Sequence, residues 1–117
     1  MTPIKREYLL FLDDMLTSML RIENYIDEIE FKEFKINHLV VDAVIRNFEI
    51  IGEASKNIPK EIKDKYPQMP WYKMYGLRNL IAHVYFGIDY EMIWEIAKNN
   101  LPQNSSDLKK IIAREKK

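Results

Sequence analysis

Apolar residues recur along the chain at helical spacing. Tyr8, Phe11, Leu12, Met15, Leu16, Met19, Ile22, Tyr25, Ile26 and Ile29 step by three and four over six turns. That pattern predicts a long amphipathic helix with Asp13, Asp14, Asp27 and Glu28 on its wet side. Residues 31–37 read as a connection, and Asn37 as the N-cap of a second helix over His38 to Asn57. Its stripe is Val40, Ala43, Val44, Asn47, Ile51, Ala54 and Ile58. Gly52 lies inside that helix, where glycine costs about 1 kcal/mol relative to alanine, so close approach of another helix is expected there.

Pro59 opens a short helical turn over Lys60 to Tyr66, and Pro67 and Pro70 break the chain. A helix restarts from Trp71 to His83. Gly87 and Asp89 mark the next boundary, with Asp89 as N-cap. Ile93, Trp94, Ile96 and Ala97 carry a fifth helix to Leu101-Pro102. Residues 103–117 read either as a frayed basic tail or as a last helix over Asp107 to Arg114. The fold class is therefore all-α, an up-and-down bundle of four to five main helices. At 117 residues, positions 1–117 form one expected domain.

Charge adds asymmetry rather than bias. The 18 basic and 18 acidic residues cancel, which argues against a chain-wide electrostatic grip on nucleic acid. Residues 1–33 nevertheless hold eight acids against four bases, and residues 103–117 five bases against two acids. Such ends suit a basic partner and an RNA, respectively, or are merely solvated faces. There is no cysteine, hence no disulfide and no thiolate metal site. With two histidines as well, no metal site is expected, and no organic cofactor. No apolar run is long enough to span a bilayer, and the charged N-terminus lacks a signal-peptide core. The expected location is the cytoplasm.

The chemistry concentrates in Arg78-Asn79-Leu80-Ile81-Ala82-His83-Val84-Tyr85. Arginine offers a permanent cationic fork for phosphate, and histidine exchanges a proton near neutral pH. Together they are the minimum set for cleaving a phosphodiester without a metal. Five residues of ideal helix set Arg78 and His83 about 140° apart. Either the helix ends or bends near His83, or the two serve one site from different walls. RNA cleavage also needs an acid as well as a base, so one copy is a proton carrier short. A twofold dimer would supply two histidines and two arginines. The plain alternative is that Arg78 pairs with Glu49 or Glu53 and that His83 caps a helix C-terminus. On these residues alone that alternative is the stronger.

The motif does not stand alone. Arg78-Asn79-x-x-x-His83-x-Tyr85, Phe48 through Lys56, Pro59-x-Glu61-Ile62, Tyr66-Pro67, Pro70-Trp71, Phe86 through Asp89, and Trp94 followed by Leu101-Pro102 occur in one order. In that order they resemble the HepT-like toxins of the HEPN domain superfamily, over most of residues 8–102. The resemblance implies an all-α homodimeric ribonuclease toxin. Its implied partners are an RNA substrate and an antitoxin of the minimal nucleotidyltransferase type. It implies that Arg78 binds the scissile phosphate, that His83 is the general acid or base, and that Asn79 supports the arginine. Tyr85 becomes the acceptor of AMP from the antitoxin. Arg46 and Glu53, seven apart on one face, are candidates to line the cleft or to form an ion pair. His38 reads as incidental, and Trp71, Tyr72, Met74 and Tyr75 as core rather than as base-stacking platforms. The competing function is a non-catalytic nucleotide-binding or interaction module that regulates a nucleotidyltransferase.

Overall fold

A computed structural model describes residues 3–83 and 89–117, with side chains described for 4–77 and 89–117. Helix α1 spans Pro3–Ile26, α2 Phe31–Phe34, α3 His38–Lys56, α4 Lys60–Lys65, α5 Trp71–His83, α6 Tyr90–Glu95 and α7 Leu101–Glu115. A π-helical turn, Ile96–Asn100, joins α6 to α7. All regular structure among the described residues is helical. The main helices pack in the order α5, α3, α1, α7, with the π-turn also on α1.

The spacing of α1 explains its place. Leu12, Met15, Met19, Ile22 and Ile26 form one buried row at three- and four-residue steps. Asp14, Asp27 and Glu28 are exposed and Asp13 is half-buried. The helix begins at Pro3, earlier than the apolar row, and stops at Ile26, one turn before Ile29. On α3 the buried arc is wider than one stripe. It takes in Val41, Ile45, Phe48 and Ser55 beside Val44, Asn47, Ile51 and Ala54, while Val40 and Ala43 are only half-buried. A helix with neighbours on two sides buries two adjoining faces, and α3 lies between α1 and α5. Gly52 is buried on this doubly covered helix. Asn47 gives its amide N–H to the Ala43 carbonyl at 2.8 Å.

The caps fall where side-chain chemistry puts them. Asn37 accepts from the Val40 N–H at 3.2 Å and Asp89 from the Met92 N–H at 3.0 Å. Each satisfies one of the amides that a helix start leaves unpaired. The 31–37 connection holds the short helix α2, because Phe34 is fully buried. Phe31 and Phe34 lie against Trp94 with ring centroids 6.0 and 5.1 Å away.

The larger correction concerns the C-terminal end. Residues 103–115 are not a frayed tail but most of α7, which buries Leu101, Ser105, Leu108, Ile111, Ile112 and Glu115. Pro102 does not end a helix; it sits in the first turn of α7, where its missing N–H goes unneeded. The wider π-turn before it spares the proline ring a clash with the preceding carbonyl. The basic residues occupy the exposed side of α7, with Lys116 reaching Asp13 of α1 at 3.7 Å.

Glu115 ties this last helix to the rest. Its carboxylate accepts from the Tyr8 hydroxyl at 2.7 Å, from the Tyr66 hydroxyl, and from the Lys65 ammonium at 2.8 Å. Burial works to raise the Glu115 pKa, but the bonds from Lys65, Tyr66 and Tyr8 outweigh it and hold the carboxyl down to about 2. Burial, then the bond to Glu115, pushes the Tyr8 phenol up to about 12. One side chain thus joins α7 to α1 and to the end of α4.

Candidate functional site

The segment holding Arg78, Asn79 and His83 is the second half of α5. The start of that helix is firmly anchored. Trp71 is buried, and its indole N–H donates to the Tyr66 carbonyl at 3.0 Å. The Trp71 carbonyl receives the buried Ser55 hydroxyl of α3 at 3.4 Å. Met74, one turn on, is also buried. The helix that carries the motif is therefore held through its first turn, which fixes the direction in which the motif extends.

The backbone is helical from Trp71 through His83, so Arg78 and His83 lie on one helix. Helical register then sorts the motif residues. Arg78 follows Met74 by one turn and joins its row. Asn79 and His83 continue the row begun by Tyr72 and Gly76, with His83 about 20° from Tyr72 after three turns. The side chains of Arg78, Asn79 and His83 lie outside the described residues, as does the whole of Tyr85.

The Tyr72–Gly76 row departs from expectation. Tyr72 is 70% exposed, not core, and Tyr75 is half-buried beneath the Lys56 ammonium at 5.8 Å. Only Trp71 and Met74 of the four are core. Gly76 is exposed, and a Cβ built there meets nothing within 4 Å. Among the described residues, the glycine costs helix stability without a packing reason. Gly76→Ala is expected to stabilise the monomeric chain by about 0.5–1 kcal/mol, a rise of roughly 4 °C in a thermal melt. A fall instead would mean that another body approaches α5 at that point.

Arg46 and Glu53 do line a common depression, of about 350 Å³, on the α1–α3 side with Asp14, Glu49 and Asn57. Arg46 forms an ion pair with Glu49 at 3.7 Å, one turn away. Arg46 is largely exposed there, so the pair adds little stability. His38 is the exposed first residue of α3.

Sequence comparison decides the relationship. A family model described as ribonuclease HepT-like matches residues 15–113. The chain belongs to the HepT-like ribonuclease family. Two proteins of Methanocaldococcus jannaschii, "Putative RNase MJ0125" and "Putative RNase MJ1216", are each 43% identical over 108 residues. The alignment covers 92% of this chain and 93% of the first relative or 89% of the second. A third relative, "Probable ribonuclease HepT" of Thermococcus cleftensis, is 37% identical over 108 residues, covering 92% of this chain and 98% of its own. No solved structure matches. The HepT-like match runs across α5 and the segment after it, and it takes in most of α7, which ends at Glu115. No helix among the described residues is long and apolar enough to cross a membrane.

Proposed function

We propose that this HepT-like chain is a metal-independent endoribonuclease toxin that works as a homodimer in the cytoplasm. Its antitoxin would be a minimal nucleotidyltransferase that modifies Tyr85. The observation that carries the reading is the family match over residues 15–113, which takes in every residue from Arg78 to Tyr85. Arg78 holds the phosphate and meets the charge that builds on it during attack. His83 moves a proton at the attacking 2′-oxygen or at the departing 5′-oxygen. Asn79, next to Arg78, orients it or bonds the phosphate.

Register supports the dimer. Arg78 and His83 begin on different rows of one helix, so a single copy has one proton carrier and a divided site. Two copies about a twofold axis supply a second histidine to act as acid where the first acts as base.

Regulation follows from charge. The Tyr85 phenol oxygen would attack the α-phosphorus of a nucleoside triphosphate bound by the antitoxin. A P–O bond forms, pyrophosphate leaves, and the phenolic proton passes to a base of the antitoxin. The attached AMP is bulky and anionic and competes with RNA phosphate for Arg78. Co-expression with such an enzyme is expected to add AMP units to the intact mass of the wild type and none to Tyr85→Phe, with RNA cleavage lost only in the former. An unmodified, stoichiometric complex would instead favour a non-catalytic interaction module.

A further inference from the structure

Away from the Arg46 depression, a cleft of about 330 Å³ opens where α3, α5 and the π-turn meet. Small-molecule sites span about 300–1,000 Å³, so it suits one small planar group. Its floor is apolar, from Phe48 of α3, Met74 and Leu77 of α5, Ile96 of the π-turn and Leu101 of α7. Its rim is polar: the amides of Gln68, Asn100 and Asn104 and the ammonium of Lys73. Among the described residues none of these four makes a hydrogen bond or ion pair. Gln68, Lys73 and Asn100 are exposed and Asn104 half-buried, so three amides and a cation around an apolar slot can exchange water for a guest. The second observation is the π-turn, a rare distortion that occurs often at functional sites. It spans Ile96–Asn100 and delivers both of those residues to the cleft.

We propose that this cleft receives one unpaired base of the RNA strand that the motif residues engage. The inference rests on the ribonuclease reading and deepens it. Single-stranded RNA is read by splaying bases out of the stack, seating their faces on apolar or aromatic surfaces, and bonding their edges. An amide presents a donor beside an acceptor and so fits a base edge in two bonds. Lys73, largely exposed at the rim, suits the phosphate of the same nucleotide. Met74 lines the cleft and Arg78 follows it by one turn on the same row of α5, within reach of one RNA strand. The cleft then gives base preference to a chain whose net charge of zero gives little unspecific hold on RNA.

The test uses full-length protein, unmodified at Tyr85, with fluorescent 2′-O-methyl oligonucleotides of A, C, G and U. These bind but cannot be cleaved. Wild type is expected to prefer one base. Asn100→Ala/Asn104→Ala is expected to erase that preference and weaken binding to it by about 10-fold or more. On cleavable RNA it raises KM more than it lowers kcat. Lys73→Ala, an exposed change that keeps the fold, weakens binding to all four and lowers its salt dependence. Variants that bind and cleave like wild type overturn the base site and leave the nuclease reading intact. Base-selective binding by a protein that cleaves nothing keeps the site and removes the nuclease. Unchanged RNA binding with lost capture of the nucleotidyltransferase also overturns the proposal, because the cleft then seats a protein.

Discussion

Alanine at position 83 is expected to slow RNA cleavage by about 100- to 10,000-fold, the usual worth of one positioned proton carrier. The loss should appear in kcat, with KM little changed, because a proton-transfer group acts in the transition state and not in ground-state binding. The fold should survive. Position 83 follows the row of α5 that carries exposed Tyr72 and Gly76, and it lies three turns from the anchored Trp71. Arg78→Ala should cost a comparable factor, and Arg78→Lys should recover only part of it, since an ammonium keeps the charge but loses the bidentate fork. Paired rate and melting measurements on the same preparations check this. Equal cleavage by wild type and His83→Ala would exclude His83 from the chemistry.

The largest expected effect on stability is at Glu115. Glu115→Ala removes the acceptor from two buried phenols, and each stranded hydroxyl costs about 1–3 kcal/mol. The whole substitution should cost on the order of 3 kcal/mol, read as a lower urea midpoint. The same cluster sets an acid limit. The folded carboxyl sits at about 2, below its ordinary 4.5. Its contribution is therefore complete above about pH 4.5 and drains away as pH falls toward 2. A gap of that width corresponds to roughly 3 kcal/mol. Glu115→Gln should flatten this part of the stability–pH curve; a variant that loses stability on acidification just as wild type does would place the acid-sensitive group elsewhere. At the alkaline end the Tyr8 phenol, held up at about 12, keeps its proton and its bond past pH 10.

Much of the fold was legible because its signals are local. The row from Leu12 to Ile26, the Asn37 and Asp89 caps and the start of α5 at Trp71 each depend on spacing or on a side chain three residues from its target. The α3 stripe is legible for Val44, Asn47, Ile51, Ala54 and Ile58, but its second buried face depends on α5, which only tertiary packing supplies. At the C-terminal end the last helix is borne out and the frayed tail is not, and composition could not choose between them. Lys109, Lys110, Arg114 and Lys116 dominate its composition, while Leu108, Ile111 and Ile112 are few and decisive. Glu115 offered no signal at all: its partners Tyr8, Lys65 and Tyr66 are 107, 50 and 49 residues away. At the candidate site, residue types and spacing pointed to phosphate chemistry, but helical register alone separates Arg78 from His83. The cleft at the π-turn was invisible because it is built from three segments, and no single stretch of Gln68, Lys73, Asn100 and Asn104 carries a pattern.

On the proposed function, this HepT-like chain cleaves RNA through His83 with no metal. The most direct measurement incubates folded protein, confirmed by intact mass to be free of AMP at Tyr85, with cellular RNA in excess EDTA, beside His83→Ala at the same concentration. Multiple-turnover cleavage by the wild type and intact RNA with the variant are expected. Intact RNA with the folded wild type, or equal cleavage by both, would contradict that reading.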